Sequence, residues 1–186
     1  SSIARCAFAL AGGYTAATPE CPTMSFRIEI GLRRGLRDPR GEHVARLAHE
    51  FFRLPVRRVV TRDVYLVADD LPEAVQRRVA LEFADPVTSR AAVGRLPPPP
   101  FDWLIEVGFR PGVTDNVGQT ARTVLADVLD RAPADVGPVF SATQYFISGT
   151  GLRREHAERI ARDLLANELI QTVRIYAQDE WRAAPP

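Results

Sequence analysis

Three histidines, His43, His49 and His156, come first, because a neutral imidazole is a common metal ligand and general base. His49-Glu50-Phe51-Phe52-Arg53 falls short of the H-E-x-x-H zinc signature because position 53 is Arg. His43 and His49 stand six apart, which puts them on different faces of a helix. Solvent-facing histidines are expected, not a metal set. Ser148-Gly149-Thr150-Gly151 precedes a helix start, where anions can bind. It lacks the phosphate-loop pattern, and the chain has no lysine, so it reads as a turn. Cys6 and Cys21 both precede Met24, which leaves no cysteine nucleophile in the body. No nucleophile elbow or close carboxylate pair stands out. The best candidates are two arginines, Arg33 and Arg110, in matching surroundings. They bind an anion or a partner surface, or are only solvated.

That match is an internal repeat. Residues 28–41 read Ile-Glu-Ile-Gly-Leu-Arg-Arg-Gly-Leu-Arg-Asp-Pro-Arg-Gly. Residues 105–118 read Ile-Glu-Val-Gly-Phe-Arg-Pro-Gly-Val-Thr-Asp-Asn-Val-Gly, a step of 77 from Ile28 to Ile105. Glycine recurs at Gly31/Gly108, Gly35/Gly112 and Gly41/Gly118, and aspartate at Asp38/Asp115. The period suggests two copies of one small domain and not an array. Glycine suits tight turns and close approach, and each Asp stands where a helix N-cap belongs.

The elements that must position these residues recur too. Phe26, Ile28, Ile30 and Leu32 alternate with polar residues or Gly, a strand period; Trp103, Ile105, Val107 and Phe109 repeat it. Val44, Leu47, Ala48 and Phe51 form one helical stripe, matched by Ala121, Val124, Leu125 and Val128. Short strands are expected at 59–61 and 64–67, then a helix from Asp70 with a capping box to Glu73, and a weak strand over 87–93. In the second copy, strands are expected at 139–141 and 145–148, a helix after Gly151, and a final strand over 169–176. Each repeat thus reads β-α-β-β-α-β, the ferredoxin-like order in an α+β fold. Helices should cover one sheet face, and the tandem copy the other, as a pseudo-dimer.

The expected organisation is a leader over 1–23, repeat one over 24–95, a proline-rich linker over 96–101, repeat two over 102–178 and a tail over 179–186 that reads as another linker. The leader reads as disordered or not native, with a signal peptide as the weaker alternative. Pro97–Pro100 favours a stiff spacer. Lys+Arg is 24 against Asp+Glu 23, which argues against a dedicated nucleic-acid binder. Apolar residues at 46% allow a sizeable core, yet no run approaches the ~20 residues of a membrane span. Cysteine usage fits a reducing cytosol.

Leu36-Arg37-Asp38-Pro39-Arg40-Gly41 before an amphipathic helix resembles the Leu-x-Asp-Pro-x-Gly opening of PurS, the small subunit of phosphoribosylformylglycinamidine synthase in purine biosynthesis. Leu81–Val87 and Leu164–Ile170 resemble its Leu-Leu-Ala-Asn-x-x-Ile stretch. The doubled form is similar to synthases in which two PurS-like units precede the catalytic domains. The resemblance covers about 25–178; Asn116 stands where PurS has Pro. It implies a noncatalytic cytoplasmic unit that assembles a PurL-type synthetase, linked or separate, with a PurQ-type glutaminase. The glutaminase supplies ammonia for an ATP-dependent amidation. No cofactor is implied in this chain; ATP and Mg belong to the synthetase. No nucleic acid or membrane partner is implied. The alternative is a tandem ferredoxin-like regulatory module that binds a small ligand between its repeats.

Overall fold

The computed structural model describes residues 25–185. The expectations for the leader, including Cys6 and Cys21, lie outside the described residues. The fold is α+β. Strand β1 (Phe26–Leu32) leads to helix α1 (Pro39–Phe52), strand β2 (Val56–Val67), helix α2 (Glu73–Glu82) and strand β3 (Ser89–Val93). The second repeat follows with β4 (Trp103–Phe109), α3 (Asn116–Leu129), β5 (Val139–Gly149), α4 (Arg154–Ile160) and β6 (Gln171–Ala177). A short helix, α5 (Gln178–Ala183), closes the described chain. All six strands form one antiparallel sheet in the order β3-β1-β2-β5-β4-β6.

Several expectations need correction. The strand pairs expected at 59–61 and 64–67, and at 139–141 and 145–148, are single strands, so each repeat is β-α-β-α-β. Arg62-Asp63 does not turn, because the strand sends Arg62 to a buried place on one face and Asp63 to α1 on the other. Helix α2 starts at Glu73 and not at Asp70: Leu71 is buried, Pro72 holds an extended ψ of 144°, and no side chain caps the helix. Residues 87–88 belong to a turn, and β6 starts at Gln171. Residues 178–183 are helical, where a linker was expected.

The repeats meet edge to edge, not face to face. β2 and β5 pair along their lengths, from Val56 opposite Gly149 to Val67 opposite Val139. A step of 80, Val59 to Val139, also carries Asp63 onto Thr143, and these two residues face each other across the seam. A pseudo-two-fold axis therefore passes through that pair.

Helices α1, α2, α3 and α4 lie on one face, and the clusters beneath them cross the seam. One apolar cluster joins Phe26, Ile28 and Ile30 of β1 and Val79 of α2 to Ala121, Leu125 and Ala126 of α3. The other joins Val44 and Ala48 of α1 to Ile105, Val107 and Ile147 and to Ala157 and Ile160 of α4. Each cluster thus needs the first helix of the opposite repeat.

The proline-rich linker crosses the helix-free face. Phe101 stacks edge-on to Phe146 at 5.3 Å and to Trp181 of α5 at 5.9 Å, over Leu104 and Val60. The linker and α5 occupy the place expected for the tandem copy.

Because both cores are shared, cutting the chain at Pro97–Pro100 should leave each half, expressed alone, without a cooperative thermal transition. Mixing the halves should restore one. A cooperative melt from either isolated half, followed by circular dichroism, would contradict the shared-core description.

Candidate functional site

The repeated aspartates sit at the centre of the molecule. Asp38 Oδ1 accepts the Gly41 N–H at 2.9 Å, which caps α1, while Oδ2 accepts the Thr61 N–H of β2 at 2.6 Å. Asp115 repeats the arrangement: Gly118 N–H donates to it at 2.7 Å, and the Ser141 N–H and Oγ–H also donate to it. Each carboxylate ties a helix start to the seam strand of its own repeat. The strand also explains Gly41 and Gly118: a Cβ there would lie 2.2 Å from the Val59 carbonyl oxygen and 2.3 Å from that of Val139. Gly35 and Gly112 serve the preceding turns with φ of 87° and 83°, the left-handed region that glycine enters readily. Gly31 and Gly108 lie within β1 and β4 on the helix-free face.

Between the two helix starts, on the axis, lies a cleft of about 340 Å³. Asp63, Thr143, Tyr65 and Tyr145 form its floor, with Arg40, Val117, Phe109 and Gln171 around them. Arg40 donates to both oxygens of Asp63, at 2.7 and 2.9 Å. The residue 77 further on is Val117, so the second half of the cleft holds no such ion pair. Burial pushes the Tyr65 and Tyr145 phenols above their ordinary pKa, and the Asp63 carboxylate adds to this. With Asp38, Asp63 and Asp115 against Arg40, the cleft suits a neutral or cationic small molecule better than an anion.

The helix-free face holds buried charge. Glu29, 2% exposed, accepts from Arg27 at 3.0 Å, from Arg62 at 3.2 Å and from the Leu96 N–H at 2.8 Å. Arg62, also 2% exposed, donates to the Leu96 carbonyl at 2.9 Å and to that of Pro97, and its guanidinium lies 4.7 Å from the centre of the Phe146 ring. Glu106, the counterpart of Glu29, accepts from Arg27 at 3.2 Å and Gln144 at 2.8 Å. Burial pushes the Arg62 pKa below its ordinary value, and Glu29 opposes that shift.

The structure does not bring Arg33 and Arg110 together. The sheet register puts them at opposite ends of strands β1 and β4. Arg33 donates to the Pro86 carbonyl at 2.9 Å and Arg110 to that of Gln171 at 3.2 Å. Each holds the segment that enters the outer strand of its own repeat. The expected spacer is tied to the sheet: the Leu96 and Pro97 carbonyls accept from Arg62, and the Leu96 N–H donates to Glu29. The exposed His43 and His49 share α1, and His156 lies on α4. Of the turn expected over 148–151 only Thr150 and Gly151 turn, since β5 runs through Gly149.

The buried Glu29/Glu106 pair and the Tyr65/Tyr145 pair escaped the sequence reading. Their signal was present: each Glu interrupts an apolar run at the same place in both repeats, and the tyrosines keep the 80-residue step of Val59 and Val139. No helix among the described residues is long and apolar enough to cross a membrane. No family model and no curated protein matches the chain.

Asp38→Ala and Asp115→Ala should each cost more than a lost cap, which is ~1 kcal/mol, because a buried strand N–H also loses its acceptor; about 2–3 kcal/mol is expected. Asn at either position should recover part of the loss. Urea unfolding of the four variants gives the measurement, and a loss no larger than that of an ordinary cap would show that the strand tie contributes nothing.

Proposed function

We propose that this chain is a noncatalytic assembly unit of the PurS kind, the part of a phosphoribosylformylglycinamidine synthase that organises the synthetase and the glutaminase. The observation that carries the reading is the double use of one motif. The Asp-Pro-x-Gly and Asp-Asn-x-Gly segments, on which the resemblance rests, are also the segments that tie each first helix to the seam. Two PurS-like units arranged about a two-fold axis, here within one chain, fit a scaffold that presents surfaces to larger partners. In this reading ATP and Mg are bound by the synthetase, and the unit acts in the cytoplasm.

The test is reconstitution. A synthetase and a glutaminase of this class, produced separately, are assayed with formylglycinamide ribonucleotide, ATP and glutamine, with and without the chain. Glutamine-dependent amidation should require the chain, and the chain alone should give no product. Turnover by the chain alone, or equal rates with and without it, would overturn the proposal.

The axial cleft favours a second reading, a regulatory module that binds a small ligand at the seam. A neutral or cationic metabolite would then raise the melting temperature of the chain, and Val117→Trp, which fills the open half, would abolish the shift. If no compound in a metabolite panel shifts the wild-type melt, this reading is withdrawn.

A further inference from the structure

The axial cleft is one-sided, and the other repeat shows what fills the matching place. Leu165 and Tyr145 both line the cleft. By the step of 82 that takes Asp85 to Asn167, the counterpart of Leu165 in the first repeat is Phe83. By the step of 80 along the seam strands, the counterpart of Tyr145 is Tyr65. In the first repeat these two positions hold rings in contact: Phe83 stands edge-on to Tyr65, with centroids 5.1 Å apart. In the second repeat the leucine offers no ring, and no ring among the described residues pairs with Tyr145.

The helix beside the cleft has changed as well. The buried Val79 and Ala80 of α2 match Ile160 and Ala161, a step of 81. By Asn167 the step is 82, so one residue has been gained in between. It is taken up in a π-helical turn, Ala161–Leu165, that continues α4, whereas α2 is α-helical from Glu73 to Glu82. Single widened turns of this kind occur mostly at functional sites. This one ends on Leu165, in the cleft wall.

The polar groups of the cleft narrow the ligand further. Asp63 and Arg40 already neutralise each other through two hydrogen bonds. A charged ligand would give up water there without gaining a counter-ion of its own. Thr143 and Tyr145 contribute hydroxyls, which serve a neutral polar group as donor or acceptor. The volume of about 340 Å³ is near the low end for ligand pockets, which run from roughly 300 to 1,000 Å³.

Resting on the small-ligand reading of this cleft, we propose that its ligand is an uncharged aromatic ring, seated edge-on to Tyr145 as Phe83 sits on Tyr65, with a polar substituent directed at Thr143.

The experiment titrates the full chain with phenol, cyclohexanol, benzamide and benzoate, followed by NMR shifts, with melting temperatures taken alongside. Phenol should bind about threefold or more tighter than cyclohexanol, which has the same hydroxyl and similar size but no flat ring. Benzamide should bind more tightly than the anionic benzoate. Leu165→Phe, which gives Tyr145 the ring partner that Tyr65 has, should abolish phenol binding without lowering the melting temperature. Should that variant fail to fold, Tyr145→Leu decides, because it should remove the preference for phenol over cyclohexanol. No binding of phenol, equal binding of phenol and cyclohexanol, benzoate binding as well as benzamide, or undiminished phenol binding by folded Leu165→Phe would each overturn the ring proposal. None of these would touch the small-ligand reading itself, which falls if no compound in the metabolite panel shifts the wild-type melt.

Discussion

The pairing of β2 with β5 is the constraint on which the rest of the structure depends. It is antiparallel and runs the length of both strands, so the axis that relates the repeats stands on the Asp63–Thr143 pair. Each first helix is anchored beside that seam by its aspartate, and from there it lies against strands of the other repeat. The apolar stripes of α1 and α3 therefore do not finish the cores of their own repeats. If the seam opened, both hydrophobic clusters would be divided and α1 and α3 would lose their packing surfaces. For two units of this size, sharing the core in this way supplies the burial that neither would reach alone.

A six-stranded sheet with helices on one side leaves a second face to be covered. Here a segment without regular structure covers it, which would ordinarily strand backbone donors and acceptors. Prolines halve the problem, because they have no N–H to satisfy. What remains is carbonyl oxygens, and Arg62 supplies donors to two of them, at Leu96 and Pro97. The single Leu96 N–H goes to Glu29. Burying this arginine and this glutamate is costly unless every strong polar atom is matched, and their contacts with each other, with Arg27 and with the linker do most of that. The linker thus follows a fixed course, which pins the start of β4 and makes a seat for Trp181.

Much of this was legible in the chain. Residues 28–41 and 105–118 gave the duplication and the caps at Asp38 and Asp115, and residues 44–51 and 121–128 gave the stripes of α1 and α3, except that Phe51, placed in the α1 stripe, is exposed; the rest obey local periods and local hydrogen-bond chemistry. The relation of the repeats was not legible. Whether an alternating strand pairs through its edge or packs through its face depends on contacts distant in sequence, and the helix-free side of β1 shows only Arg27, Glu29 and Gly31. A glutamate between two isoleucines reads as an exposed residue on a half-buried strand. Only the linker folding over it, and Arg62 arriving from β2, makes it a buried one. Arg62-Asp63 read as a turn for the same reason, since the partners that hold both charges in an extended strand come from elsewhere in the chain.

Fusing two copies also frees the axis from symmetry. In a dimer of identical units the residue at the position of Asp63 would face its own copy, and two carboxylates directly opposite in a ladder destabilise the pairing. In this chain one of the two is Thr143, so Asp63 meets no second carboxylate and takes Arg40 as its partner from α1. The position equivalent to Arg40 is then relieved of a charge to neutralise, and it is Val117. The same divergence places Arg62 beside Gln144 on the reverse face, where the symmetric positions carry Val64 and Ala142.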